Sequence, residues 1–200
     1  MKRSLFAMMM FFALILPASL RAQNDDPAAI IRASVDAALL VLRDPALKKP
    51  EKRAERLEKL RVIADRVFNW QELAQSSLGA AYRSINDAQR AEFLSLFKDL
   101  IAQDYRDDLD RFMGDENVLV KGSEERGELR VVKTILITHS RDQVPLDYFM
   151  HREGSTWRAV DFSVEGVSLV NHYRKSFARF LVNHSFEELL AKLRPRAAAK

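Results

Sequence analysis

The 200-residue sequence contains no cysteine. Disulfides, thiol catalysis, thiolate metal sites and redox exchange are therefore excluded. A lipid anchor attached after export is excluded as well, because it requires a cysteine at the new N-terminus. A single domain of this size buries roughly 70% of its unfolded surface, so its core does not need a disulfide.

The sequence also lacks an apolar run long enough to span a bilayer, which takes about 20 residues. The run from Leu5 to Leu16 follows the basic pair Lys2-Arg3 and precedes Ala22, a small residue suited to signal peptidase. Residues 1–22 are therefore predicted to be a secretory signal that is removed, with a retained anchor helix as the alternative. Residues 23–194 are predicted to form one exported, soluble domain, and residues 195–200 a disordered tail.

Excess charge of one sign is missing once the signal is removed. Residues 1–22 carry three basic residues and no acid, so the net charge falls from +4 to +1. Proteins whose main partner is nucleic acid or an anionic membrane surface carry a marked cationic excess. Neither partner is expected here.

No residue pattern typical of a metal site is present, and no metal or other cofactor is expected. The acidic run DYRDDLDRFMGDEN does not match a calcium loop, because Phe112 stands where the loop requires glycine. The four histidines lie in different segments without the spacing of paired ligands; they are His139, His151, His172 and His184.

Helical periodicity dominates the first half of the chain. One helix is predicted from Pro27 to about Asp44, and a charged surface helix follows within residues 48–68. Asn69 is predicted to cap a short helix over residues 70–78.

The longest predicted helix begins at a capping box formed by Asn86 and Gln89. Its stripe of aromatic and aliphatic side chains continues to Phe112, and Gly114 ends it. The acidic run at its end is interpreted as a solvated face.

After residue 114 the period becomes alternating, which predicts four antiparallel strands. A return helix from Val167 to about Val182 and a short last helix follow. The predicted fold class is α+β, with a curled four-stranded antiparallel sheet packed against several helices. One sheet face is apolar and the other mixed; the apolar face carries Val144, Leu146, Tyr148 and Met150 of the third strand and Val160, Phe162 and Val164 of the fourth.

The corner between the last strand and the return helix contains the only spacing that suggests catalysis. Glu165, Ser168 and His172 are three and four residues apart, but no G-x-S-x-G elbow surrounds the serine. The favoured interpretation is structural: Gly166 permits the turn, while Glu165 and Ser168 hold the start of the helix. The chain is predicted not to be an enzyme.

The inward-facing apolar residues admit two interpretations, a filled core or an open slot for an apolar ligand. Periodicity alone does not separate them. An enzyme with paired acids inside the apolar cup is a further alternative, for which Asp147 and Asp161 are the nearest candidates. Both are predicted to point away from the apolar face.

Two stretches, FNWQELAQSSLGAAYRSINDAQRAEFLSLFKDLIAQDY (68–105) and WRAVDFSVEGVSLVNHYRKSF (157–177), resemble the MlaC family of toluene-tolerance auxiliary proteins. The shared motifs are Phe68, Leu78-Gly79, Gln89-Arg90 with Phe93 and Phe97, Trp157 with Asp161, Glu165 to Val170, and Tyr173-Arg174 with Phe177. His172 departs from the pattern, because a non-titrating polar residue is expected before the Tyr-Arg pair. A hopanoid-associated branch shares the same pattern, so the subfamily stays open.

The resemblance implies a periplasmic carrier, expected to be a monomer, that holds phospholipid acyl chains in a hydrophobic cavity between the sheet and the helices. Its implied partners are an inner-membrane ABC transporter complex and an outer-membrane lipoprotein complex. The alternatives are a hopanoid carrier and a periplasmic adaptor or chaperone without a lipid pocket. The lipid-binding residues expected from face and family together are Phe93, Phe97, Ile101, Tyr105, Leu136, Leu146, Tyr148, Met150, Val160, Phe162, Val164, Val167, Val170, Tyr173 and Phe177.

Overall fold

Five helices precede an antiparallel sheet, and two more follow it, in a computed structural model that describes residues 26–198, with side chains to residue 194. The α+β class is confirmed; the predicted signal lies outside the described residues. The helices are α1 (Pro27–Arg43), α2 (Arg53–Val67), α3 (Trp70–Leu78), α4 (Asp87–Asp104), α5 (Arg106–Asp110), α6 (Leu169–Leu181) and α7 (Phe186–Ala198). The strands are β1 (Asn117–Arg126), β2 (Leu129–Ile137), β3 (Gln143–Glu153), β4 (Thr156–Val164) and β5 (Val167–Ser168). Short 3-10 turns cover Pro50–Lys52 and Gly79–Ser84.

Side-chain caps set the starts of three helices. Asp26 accepts a hydrogen bond from the Ala28 amide at the start of α1. Asn69 accepts one from the Glu72 amide at the start of α3. The predicted capping box of α4 is present, since Asn86 and Gln89 each bind the other's backbone amide. Each cap satisfies an amide that the helix itself leaves without a partner.

The predicted long helix breaks at Tyr105, so it is two helices, α4 and α5. Ion pairs hold α5 against α2, because Arg53 and Arg56 of α2 both bind the carboxylate of Asp110 in α5. The hydrogen bond from Arg53 holds the pKa of Asp110 below its ordinary value. The end of the acidic run is therefore anchored to α2 rather than only solvated.

The five strands form one sheet in the order of the chain, each antiparallel to the next. The two-residue strand β5 is not among the four predicted strands. The register shifts between Val120 and Gly122 in β1, and again in β4, where Val160 has no partner in β3. Such bulges bend strands and increase twist, which curls the sheet.

The bulge at Val160 corrects the predicted faces of β4. Ala159 pairs with Met150, and Phe162 pairs with Tyr148. Met150 and Tyr148 lie on one face of β3, so Ala159 joins the face of Phe162 instead of opposing it. We call the sheet face that carries these side chains the inner face, and it packs on α1. Apart from the bulges, it includes every second residue of each strand, among them Val132, Tyr148, Met150, Ala159 and Phe162.

A tight hairpin joins β4 to β5. Glu165 and Gly166 have φ of 50° and 80°, as in a type I′ turn, which glycine adopts readily. The predicted cap at Ser168 is confirmed, because its hydroxyl accepts from the Asn171 amide at the start of α6. Asp161 fastens this corner by accepting from the Ser168 hydroxyl and from the Val170 amide.

The apolar interior forms two clusters. One lies among α3, α4, α6 and α7, and the other lies between α1 and the inner face. The last helix continues to Ala198, through part of the segment predicted as a disordered tail; residues 199 and 200 lie outside the described residues.

Candidate functional site

The inner face is covered at one part and open at another. Val132, Met150 and Ala159 are fully buried beneath α1 and the end of α2. Their neighbours on β3 and β4 are apolar yet only partly buried. We call these neighbours the open wall; they are Leu146, Tyr148, Phe162 and Val164, with Leu136 of β2 beside them.

A row of aromatic rings continues the open wall toward α3. The ring centroids of Phe162 and Tyr148 are 5.0 Å apart, those of Tyr148 and Phe68 are 6.4 Å apart, and those of Phe68 and Trp70 are 5.2 Å apart. All four rings are partly buried. The row is therefore a continuous, partly exposed aromatic surface that extends the open wall.

Backbone pairing places Phe68 and Trp70 in this row. Phe68 forms a parallel bridge with Ala159, and the Asn69 amide donates to the Ala159 carbonyl at 2.9 Å. The bulge at Val160 and the short strand β5 leave this part of the edge of β4 available to the segment. Phe68 was recognised as a motif residue, but neither it nor Trp70 was predicted as a site residue. Only the tertiary pairing reveals them.

Tyr148 lies in the least polar part of the row. Burial raises the pKa of its hydroxyl to about 12. The side chain nevertheless keeps some accessible surface, and its hydroxyl has no hydrogen-bond partner among residues 26–198. The hydroxyl is therefore largely desolvated by the surrounding protein, although the residue is not fully buried.

Six of the fifteen predicted lipid-binding residues lie on the inner face. Met150 is fully buried under α1, and the others belong to the open wall. The sequence therefore predicted this face correctly for β3 and for most of β4. The six are Leu136, Leu146, Tyr148, Met150, Phe162 and Val164.

Six others lie in the helical cluster. Phe93 and Phe97 are 0% exposed and stack with ring centroids 5.5 Å apart. Both rings are buried because α7 packs over the apolar side of α4. Sequence periodicity does not reveal this contact. In this structure the helical six form a filled core rather than a wall facing the sheet; they are Phe93, Phe97, Ile101, Val170, Tyr173 and Phe177.

The last three predicted residues belong to neither set of six, although Tyr105 packs against the helical cluster. Val160 is the unpaired bulge residue and is buried. Val167 is 64% exposed in β5, because the hairpin turns it outward instead of placing it in the return helix. Tyr105 is partly exposed where α4 meets α5, and burial raises the pKa of its hydroxyl.

The polar groups near the sheet have structural partners. Asp147 binds the ammonium group of Lys133 at 2.8 Å, and Ser168 and Asp161 hold the start of α6. Within residues 26–198 no group of histidines and acids is arranged to hold a metal ion. None of the helices in that range is long and apolar enough to cross a membrane.

An antiparallel sheet with a partly exposed apolar face, fastened to a helical bundle, places the chain in the α+β class. Comparison with known proteins makes the assignment narrower. The family model "MlaC protein" matches residues 32–195. This chain belongs to the MlaC family.

Proteins similar to the chain include a curated relative and a solved structure. The intermembrane phospholipid transport system binding protein MlaC of Haemophilus influenzae is 25% identical over 126 residues, which are 60% of this chain and 58% of that protein. The chain thus spans less than two thirds of that relative. A phospholipid-binding protein from Ralstonia solanacearum, solved in complex with a phospholipid, has the same fold, with a TM-score of 0.74 and 21% identity, covering 86% of this chain and 97% of the other.

Proposed function

We propose that this protein is a periplasmic lipid carrier whose open wall holds the acyl chains of a phospholipid. The observation that carries the proposal is the aromatic row from Trp70 to Phe162, apolar and only partly buried at the centre of a folded domain. The names of the similar proteins support the ligand class, since both are described as phospholipid proteins.

The need for a carrier follows from the hydrophobic effect. A diacyl lipid has on the order of 30 methylenes, and each costs about 0.8 kcal/mol to expose to water. A free lipid monomer is therefore extremely rare in an aqueous compartment. A protein that covers the chains removes most of this cost and lets the lipid cross between two membranes.

A carrier must also release its lipid, so the wall has to resemble a membrane interior without binding more tightly than the acceptor. Leu136, Leu146 and Val164 supply aliphatic surface of this kind, and Tyr148 adds a ring with a hydroxyl at its tip. We propose that the protein delivers lipid between complexes of the inner and outer membranes.

Purification without detergent, followed by lipid extraction and native mass spectrometry, tests the proposal. The wild-type protein is expected to retain phospholipid. In Leu146→Asp the retained lipid should fall at least tenfold, or about 1.4 kcal/mol, because a carboxylate on the wall must lose its hydration when chains cover it.

Ile135→Asp is the matched control. Ile135 is also partly buried, and it lies on the next strand but on the opposite face, beside Lys133. It should retain lipid as the wild type does. An empty wild-type protein, or equal loss of lipid in the two folded variants, would contradict the proposal. A bound hopanoid instead of phospholipid would support a lipid carrier but contradict the proposed phospholipid ligand.

A further inference from the structure

A second concave surface lies among the helices, away from the inner face. It is a groove of about 570 Å³ between α4, α6 and α7, and no residue of the sheet lines it. We call it the helical groove. Its floor is made of buried side chains of the helical cluster: Leu100, Tyr173, Phe177, Leu189 and Leu193.

The rim of the helical groove carries positive charge from two helices. Arg179 of α6 and Lys192 of α7 are exposed, and neither has an acidic partner among residues 26–198. The one acid that lines the groove is Asp104, which accepts a hydrogen bond from the Tyr173 hydroxyl at 2.7 Å. Two histidines, His172 and His184, complete the set of titratable groups.

Phe180 organises the basic side of the groove. The ammonium nitrogen of Lys192 lies 4.6 Å from the centroid of its ring, and the ring of His184 stacks on it at 4.2 Å. His184 Nδ1 donates to the Phe180 carbonyl at 3.0 Å, which leaves Nε2 as its remaining hydrogen-bonding atom. These contacts restrict the side chains in advance, which reduces the entropy lost when a ligand binds.

We propose that the helical groove docks an acidic segment of a partner protein. Uncompensated cations on both walls favour a ligand with several carboxylates. A concave floor between helices admits a protruding chain, whereas a flat membrane surface would touch only the rim. Because the groove shares no residue with the open wall, docking there does not require that the lipid leave, and the proposal does not depend on lipid carriage.

The test uses the full mature chain and acetylated hexaglutamate as the probe, followed by NMR amide shifts at low salt. Shifts are expected to concentrate in residues 172–184 and 189–193, and hexaglutamine should produce none. In the double variant Arg179→Glu with Lys192→Glu the affinity should fall at least tenfold, or about 1.4 kcal/mol. Circular dichroism confirms that each variant is folded.

The matched control is Arg32→Glu with Lys175→Glu, which changes the net charge equally. Both residues are exposed and lie outside the groove, and Lys175 is also on α6. Retained affinity in this control supports the proposal. Equal loss in the two doubles, identical shifts with inorganic phosphate at the same charge concentration, or binding to phosphatidylglycerol vesicles without binding to the peptide would each overturn it.

Discussion

Replacing Asp161 by alanine should destabilise the whole domain, because this carboxylate joins the sheet to α6. One oxygen accepts from the Val170 amide at 3.0 Å and from the Phe162 amide at 2.8 Å, and the other accepts from the Ser168 hydroxyl. No other side chain among the described residues accepts from the Val170 amide. Alanine would leave these donors without their acceptor.

The magnitude follows from the two bonds that reach across the hairpin. A hydrogen bond to a charged group contributes about 1.5–3 kcal/mol, and neighbouring bonds are not additive, so the expected total loss is about 3 kcal/mol. For a domain of this size that loss lowers the melting temperature by about 6–12 °C. Asp161→Asn should lose less, because its amide oxygen still accepts.

Thermal and urea denaturation followed by circular dichroism measure this effect. Asp147→Ala is the matched control, since Asp147 lies on the same face of the adjacent strand and has one ion pair, with the partly exposed Lys133. That control should lose no more than about 1 kcal/mol. If both alanine variants were equally stable, the structural role assigned to Asp161 would be refuted.

Three further outcomes follow from the geometry. Gly166→Ala should lower the free energy of unfolding by about 1–2 kcal/mol, measured by urea denaturation. The cause is the φ of 80° alone, because a Cβ at this position would meet no atom within 4 Å. An unchanged stability would contradict the assigned turn. Asp110→Asn should lose about 1 kcal/mol at pH 7. The folded-state pKa of Asp110 is lowered, so its contribution to stability is present above its ordinary pKa of about 3.9 and is lost as the pH falls through the lower folded value. The difference in stability between Asp110→Asn and wild type should therefore shrink below about pH 4. A difference that stays constant with pH would count against the ion pairs. In an absorbance titration, Tyr148→Phe should lack the wild-type step near pH 12.

Local chemistry made the helix starts predictable from sequence. Asn69 and the pair Asn86 and Gln89 satisfy amides within three residues, so their effect is encoded in a short window. The alternation in β3 was predictable for the same reason. These features position most of the open wall.

Features set by distant contacts were not predictable. Asp110 of α5 is held by arginines of α2 that lie more than fifty positions earlier in the chain. The bulge at Val160 changes the faces of β4 because it is defined only against β3. The turn at Gly166 is predicted from the sequence, but the two-residue strand β5 after it is not. Its residues continue the apolar pattern of α6 and are therefore predicted as helix.

The helical cluster shows the same limit for the candidate site. Phe93 and Phe97 have the spacing of a pocket wall and of a packed core alike, and the covering helix α7 decides between them. Conversely, Phe68 and Trp70 reach the open wall through pairing with Ala159, which no periodicity indicates. Face and spacing identify candidates, and tertiary contacts select among them.

The most direct test of lipid binding at the open wall is contact between acyl chains and Trp70. The sequence has two tryptophans, so Trp157→Phe leaves Trp70 as the sole indole reporter. Loaded with phospholipid brominated along its acyl chains, this variant should show fluorescence quenching that the unbrominated lipid does not cause. Bound brominated lipid that leaves the Trp70 emission unchanged would contradict the account.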